Sequence, residues 1–496
     1  MKVYVLILVL IMGMWSCEDF LTIRPKSDIT EEDLFAKSDG VEDALYGVYA
    51  RLGHTDLYGQ NMTWGIVDMP AQYFKVDGQQ GQDCLQASQF THDGPDARAT
   101  YGTMWTGMYE AIGYANNVIN ALTKKDESSM KYYSIYLGEA LGVRGFLHFD
   151  LIRLFAPHVE RQPDARGIPY VRQWTSRVTP FSTVQEVYTS VLKDLKESER
   201  LLTRGMESMD EGNDFTNTPQ LHFNLYAAQA TLARVYWMKG DLDSACIYAR
   251  KVIDSEKFEL VHSTEVKDMV AQVINKKECI WGIFNDQLSK TYGDRFYGLG
   301  NVPSMSGTSS DLTLYPNTVW GYYDELYPSG DNGNEMRLGW IRGRVNDPAN
   351  KKYFMKLLIE DNMETSKPRY GEGNIAGIHL IRLPEMYLIV AEALLEKESE
   401  VALDYFDTFI ASRGLYKFRS LGKTLTLEDI DKERKKEFFG EGQEFYNMKR
   451  EMRDVLLTAS SWGEVIGSEE MYTFLIPDSE FEFRYDDSEE NNENQN

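Results

Sequence analysis

Cysteine, histidine and positive charge are all scarce in this chain, and each scarcity closes a class of function. Only 4 cysteines and 7 histidines occur in 496 residues. No CxxC is present and the histidines are scattered, so a structural zinc centre lacks a ligand set at the required spacing. With Cys17 set aside, Cys84, Cys246 and Cys279 are odd in number and far apart, which is no disulfide framework. Cys246 holds a small-residue position in a helical pattern and reads as a buried thiol. A formal net charge of −25 argues against nucleic acid, which demands clustered positive charge. It also argues against direct adhesion to anionic lipid and suits a neutral ligand. No apolar run reaches the about 20 residues a membrane span needs.

Catalytic and cofactor motifs are equally thin. Gly371–Ala376 (GEGNIA) has the spacing G-x-G-x-x-A, but Lys367-Pro368-Arg369 precedes it, and it reads as a loop. Gly422-Lys423-Thr424 resembles the end of a phosphate loop, yet position 417 is Lys417 where glycine is required. Neither G-x-S-x-G nor H-E-x-x-H occurs. Asp331–Glu335 is oxygen-rich without EF-hand spacing and reads as a turn. No enzyme activity, cofactor or metal is expected.

What is present begins at the start of the chain. Lys2 precedes an apolar run from Val3 to Met14, then Trp15, Ser16 and Cys17. This is the form of a cleaved secretory signal over residues 1–16. Cys17 stands where bacterial lipoproteins carry their lipid, so it is expected to become an acylated N-terminus. The alternative is an ordinary signal whose cysteine is incidental. Residues 17–33 then read as a polar tether, 34–485 as the folded body, and 486–496 as an acidic, disordered tail.

Within the body, helical periodicity recurs at Val41–Leu52, Trp105–Leu122, Met130–Phe155, Val184–Leu202, Leu221–Met238, Asp241–Ser255, Leu383–Glu396, Val401–Ser412 and Leu427–Arg453. Two pairs look like repeats. Ala227–Ser255 places Ala228, Ala233, Ala245 and Ala249 where paired helices touch and turns at Gly240-Asp241, as tetratricopeptide repeats do. Glu385–Gly414 repeats the logic with Ala391, Ala393 and Ala402. Met130–Phe155, with Ala140, Gly142 and Gly145, reads as part of a further unit. The expected fold is all-α, a tetratricopeptide-like scaffold carrying long irregular loops, and such scaffolds bind.

Two irregular regions, His54–Thr103 and Asp286–Pro328, are rich in glycine and aromatics. Loops of that length are usually functional. Flat aromatic faces beside amides and carboxylates suit sugar rings, whose C–H faces stack while their hydroxyls hydrogen-bond. Trp64, Tyr73, Tyr292 and Trp320 are the candidates for stacking, and Asp68, Asn301 and Asn317 for hydrogen bonding. The competing reading is that these aromatics bury themselves to hold the loops down.

The order of segments resembles the SusD/RagB family of outer-membrane nutrient-binding lipoproteins. The resembling stretches are CEDFLTIRP (Cys17–Pro25), WTGMYEAIGYANNVINAL (Trp105–Leu122), GEALGVRGFLHFDLIRLF (Gly138–Phe155), RGIPYV (Arg166–Val171), IRLPEMYLIVAEAL (Ile381–Leu394), ERKKEFFGEGQEFYNMKR (Glu433–Arg450) and FLIPDSE (Phe474–Glu480). Glu444 and Asn447 replace an Arg and an Asp of the family pattern, which removes an ion pair. The resemblance implies a non-catalytic, surface-exposed lipoprotein of the cell outer membrane. Such a protein sits over a SusC-like TonB-dependent β-barrel transporter and passes it an oligosaccharide or polysaccharide. Peptide or glycopeptide capture, a lipid-anchored glycoside hydrolase and a purely structural scaffold are the rival readings. The charged stretch Glu433–Arg450 is expected to pack the scaffold and to hold no site.

Overall fold

The computed structural model describes residues 30–76, 81–173, 177–207, 209–210, 214–262, 265, 273–288, 312–314, 335–343, 352–354, 375–457 and 463–482. The expected signal segment, Cys17 and the acidic tail lie outside these residues. Among the described residues no helix is long and apolar enough to cross a membrane.

The main helices are α1 (Ser38–Leu52), α2 (Gln82–Ser88), α3 (Pro95–Thr123), α4 (Tyr133–Phe155), α5 (Val184–Met206), α6 (Leu225–Met238), α7 (Leu242–Ile253), α8 (Leu383–Leu394), α9 (Ser399–Ser412), α10 (Leu427–Glu437) and α11 (Gln443–Glu451). From α3 to α9 each helix packs on the next, giving the expected array of helix pairs. Local chemistry fixes the ends. Thr183 and Glu186 form a capping box at α5, and Thr426 and Asp429 do the same at α10. Asn224 and Asp241 cap α6 and α7 through their side chains. Gly240, at φ +72°, makes the tight turn between those two helices that a residue with a Cβ resists.

Helix α4 is the axis of the body and is buried on nearly every side. Its polar residues are therefore all committed. Arg144 makes a bidentate pair with Asp194 of α5 and donates to Asn116 of α3 at 2.9 Å. Asp150 accepts from Tyr58 at 2.6 Å. Lys449 of α11 donates to the Arg153 carbonyl at 2.7 Å and to that of Ala156, placing a cation at the helix C-terminus. Burial holds its ammonium down at about 7.

Two expectations about helices need correction. Leu427–Arg453 is not one helix. It breaks between α10 and α11, where Gly440 and Gly442 adopt φ +75° and +70° and Gly442 lies against the Met62 carbonyl. The stretch His54–Thr103 is also less irregular than its composition indicates. It contains the buried 3₁₀ turn Ile66–Ala71, strand β1 (Phe74–Val76), α2 and the first two turns of α3, which Pro95 opens at N1.

Among the described residues the strands that follow include β2 (Arg166–Pro169), β3 (Phe181–Thr183), β4 (Val273–Ile274), β5 (Cys279–Phe284), β6 (Leu312–Leu314), β7 (Ile341–Gly343), β8 (Lys352–Phe354) and β9 (Ile375–Arg382). Ile375 and Ala376, read from sequence as loop, open β9. After α7 the chain leaves the helix array, forms the sheet β4–β9–β5, adds β6, β8 and β7 to β1, and returns as α8, which packs on α7. The long insertion thus sits between two repeats.

Glycines in α4 let α5 approach closely. A Cβ on Gly142 would lie 2.2 Å from the Phe223 ring and 2.6 Å from Ser198 Oγ. Gly47 of α1 has open space there instead. Gly142→Ala is expected to destabilise by about 1–3 kcal/mol through overpacking, despite the gain in helix propensity. Gly47→Ala should be neutral or stabilising by up to about 1 kcal/mol. Denaturant unfolding of the two variants checks this.

Candidate functional site

The two aromatic-rich regions meet. Strand β1, in the first, pairs antiparallel with β6, in the second, with Phe74 opposite Leu314 and Val76 opposite Leu312. β6 continues through β8 to β7. One four-stranded sheet of three-residue strands therefore joins both regions that the sequence marked for ligand binding.

The individual residues divide differently. Trp64, Asp68 and Tyr73 are buried, at 1%, 0% and 4% exposure, so none has a face open to a sugar ring. They serve as anchors. Tyr73 packs on Phe439 with ring centroids 4.3 Å apart and donates its hydroxyl to the Lys435 carbonyl at 2.9 Å. Asp68 accepts from the Gly440 backbone N–H at 2.8 Å. Trp64 lies in the main apolar core. Tyr73 and Asp68 hold their segment against the α10–α11 corner, by ring packing and by a hydrogen bond, and Trp64 buries its ring in the core. Tyr292, Asn301, Asn317 and Trp320 lie outside the described residues.

Around α10 is a buried ion network that the sequence did not reveal. The Glu437 carboxylate of α10 accepts from Arg382 at 2.6 Å, from Arg413 at 2.9 Å through both its oxygens, and from Arg337 at 3.4 Å. Arg337 also forks onto Glu335 and reaches Glu433 at 2.5 Å. Glu278 pairs with Arg382 and Arg413, and Glu441 with Arg382. Lys436 pairs with Glu433. Burial raises the Glu437 carboxyl, but Arg413 and Arg382 outweigh it and hold the group well below the usual carboxylate range. Glu433 is likewise held at about 2 by Arg337 and Lys436 against its burial. The Trp237 indole donates to Glu392 at 2.7 Å, and the guanidiniums of Arg434 and Arg450 lie over its ring at 4.4 and 4.3 Å. Glu335, read as part of a turn, belongs to this network. The ion pair expected to be lost at Glu444 and Asn447 is replaced: Glu444 pairs with Arg453 at 2.8 Å, and Asn447 donates to Asp431 at 3.3 Å.

On the outer side of α10, Leu427, Glu428, Asp431, Lys432 and Lys435 line a cleft of about 580 Å³ with Glu451 and Arg453. Burial and the facing Glu451 push the Asp431 carboxyl up to about 6, against the pull of Arg453. Its lining mixes both signs of charge, and no cluster of three metal-type ligands exists among the described residues.

The architecture is that of a helix-repeat scaffold, with a sheet inserted between repeats. Residues 19–237 match a family model described as "Starch-binding associating with outer membrane", and residues 309–461 match one described as the SusD family. The chain belongs to the SusD/RagB family. It is 22% identical over 388 residues to a SusD-like protein of Bacteroides ovatus, covering 69% of this chain and 64% of that protein. The chain spans only 44% and 64% of the length of the curated relatives it matches. The fold matches a SusD superfamily protein of Bacteroides thetaiotaomicron at TM-score 0.72 and 22% identity, covering 90% of this chain and 98% of that one. A laminarin-binding SusD-like protein matches at TM-score 0.63 and 19% identity, covering 90% and 97%.

Asp431 supplies a pH test. Its folded pKa, about 6, lies above the value for an unfolded carboxyl. Between the two the folded state binds more protons, so this group costs stability as pH rises to about 6 and the full cost stands above it. Asp431→Asn is expected to unfold at a higher temperature than the parent at pH 7.5, by a margin that shrinks at pH 5. Thermal unfolding at both values checks the sign.

Proposed function

We propose that this protein is a surface-anchored lipoprotein of the outer membrane that binds an oligosaccharide or polysaccharide and passes it, uncleaved, to a SusC-like TonB-dependent transporter. The observation that carries the reading is the joining of the two aromatic- and amide-rich regions into one sheet on a helix-repeat scaffold. Family membership and a fold shared with a laminarin-binding SusD-like protein support a carbohydrate ligand. The acidic surface suits a neutral glycan, which gains contact by stacking and hydrogen bonding and needs no opposite charge. With Trp64, Asp68 and Tyr73 buried, the ligand contacts fall to Tyr292, Trp320, Asn301 and Asn317. Cys17 carries the lipid.

The test is a glycan-array screen of the body from Glu18 onward, followed by calorimetric titration of any hit. Trp320→Ala or Tyr292→Ala is expected to weaken binding about fivefold or more, since one ring stacked on a sugar is worth about 1 kcal/mol or more. Trp64→Ala should instead lower thermal stability, by about 3–5 kcal/mol of unfolding free energy. A blank screen with capture of peptides would replace the glycan reading with peptide uptake. Release of shortened oligosaccharides would show an enzyme.

A further inference from the structure

The four-stranded sheet poses a mechanical question. Strands of three residues provide few ladder hydrogen bonds, and such small sheets have little stability of their own. Something else must set the sheet's place relative to the helix array.

The strand order is β1–β6–β8–β7, so β1 and β7 are its two edges. Both edges lead to helix α10. Tyr73, the residue before β1, donates to the Lys435 carbonyl, and the Lys435 ammonium lies 5.4 Å from its ring. Before β7, the 3₁₀ turn Met336–Trp340 carries Arg337, which is fully buried and joins Glu433 and Glu437. The Met336 N–H adds a bond of 3.1 Å to the Arg413 carbonyl at the end of α9. One helix thus holds both edges of the sheet, by positions 433 and 437 on one side and 435 on the other.

We infer that α10 is a two-point clamp that fixes the ligand-bearing sheet on the scaffold, and that Tyr73 and Arg337 are positioning residues for ligand capture. Neither touches the ligand. The buried ions suit this task. Buried ion pairs often add little stability over apolar packing, but a guanidinium–carboxylate fork constrains the geometry of the groups it joins. The inference rests on the proposed carbohydrate-binding function, since it assigns the clamp a role in capture. In sequence, β6 lies between the proposed contacts Asn301 and Asn317.

Hydrogen–deuterium exchange of the full chain tests the clamp without any ligand. Tyr73→Phe keeps the ring and removes the bond to Lys435, and Arg337→Lys keeps the charge and removes the fork. Both are expected to raise exchange several-fold in peptides spanning Phe74–Val76 and Leu312–Leu314, with α4 to α9 unchanged. Unchanged exchange at the sheet, or a uniform rise that includes α4, would overturn the inference and leave these residues merely structural. Should Arg337→Lys fail to fold, Tyr73→Phe decides alone. In titrations with a glycan hit, Tyr73→Phe should release ligand several-fold faster; an unchanged release rate overturns the role in capture. A wild-type chain that binds no glycan would sink the functional reading, while the exchange result would still decide whether the clamp exists.

Discussion

The structure depends on one buried carboxylate. Glu437 is fully enclosed and shared by three guanidiniums, each from a different part of the chain. Arg337 comes from the insertion, Arg382 from the point where β9 turns into α8, and Arg413 from the end of α9. Enclosing such ions costs several kcal/mol each, and the cost is met only because nearly every donor finds an acceptor in good geometry. Remove one charge and its former partners stay buried with part of their compensation gone. The insertion and the returning repeat are thereby locked to α10 together.

Much of the fold was legible in the sequence, for reasons that can be named. The α6–α7 turn at Gly240-Asp241 and the alanines on facing sides announced a helix pair, because close backbone approach needs small side chains and a tight turn needs φ above zero. The family-like blocks were legible too, and the structure gives their charges a purpose. Asn116, Arg144 and Asp194 tie α3, α4 and α5 into one unit, and Arg234 with Glu385 ties α6 to α8 at 2.6 Å.

What stayed hidden was burial. Helix α10 has few apolar residues; Glu433–Arg450 packs the scaffold as expected, but nothing in its own residues tells that Glu433, Lys436 and Glu437 are enclosed with their charges. Its partners, Arg337, Arg382 and Arg413, lie far off in sequence, and no local pattern couples them. The same blindness misplaced Trp64, Asp68 and Tyr73. An aromatic beside an amide or carboxylate has the same composition whether it stacks on a sugar or closes a core; only the neighbours from Phe438 to Gly442 decide. The break at Gly440–Gly442, by contrast, was available in the sequence as two glycines two residues apart and was overridden by the helical periodicity on either side.

The most direct measurement of the central claim is a double-mutant cycle between Arg382 and Glu437, read by urea unfolding of the full chain. Arg382→Met and Glu437→Met should each cost about 3–5 kcal/mol. The double variant should recover about 2 kcal/mol or more of their sum, because removing both charges leaves fewer uncompensated ions than removing either. Single losses below about 1 kcal/mol that simply add would contradict the account, and would mean that the network decorates a fold held together elsewhere.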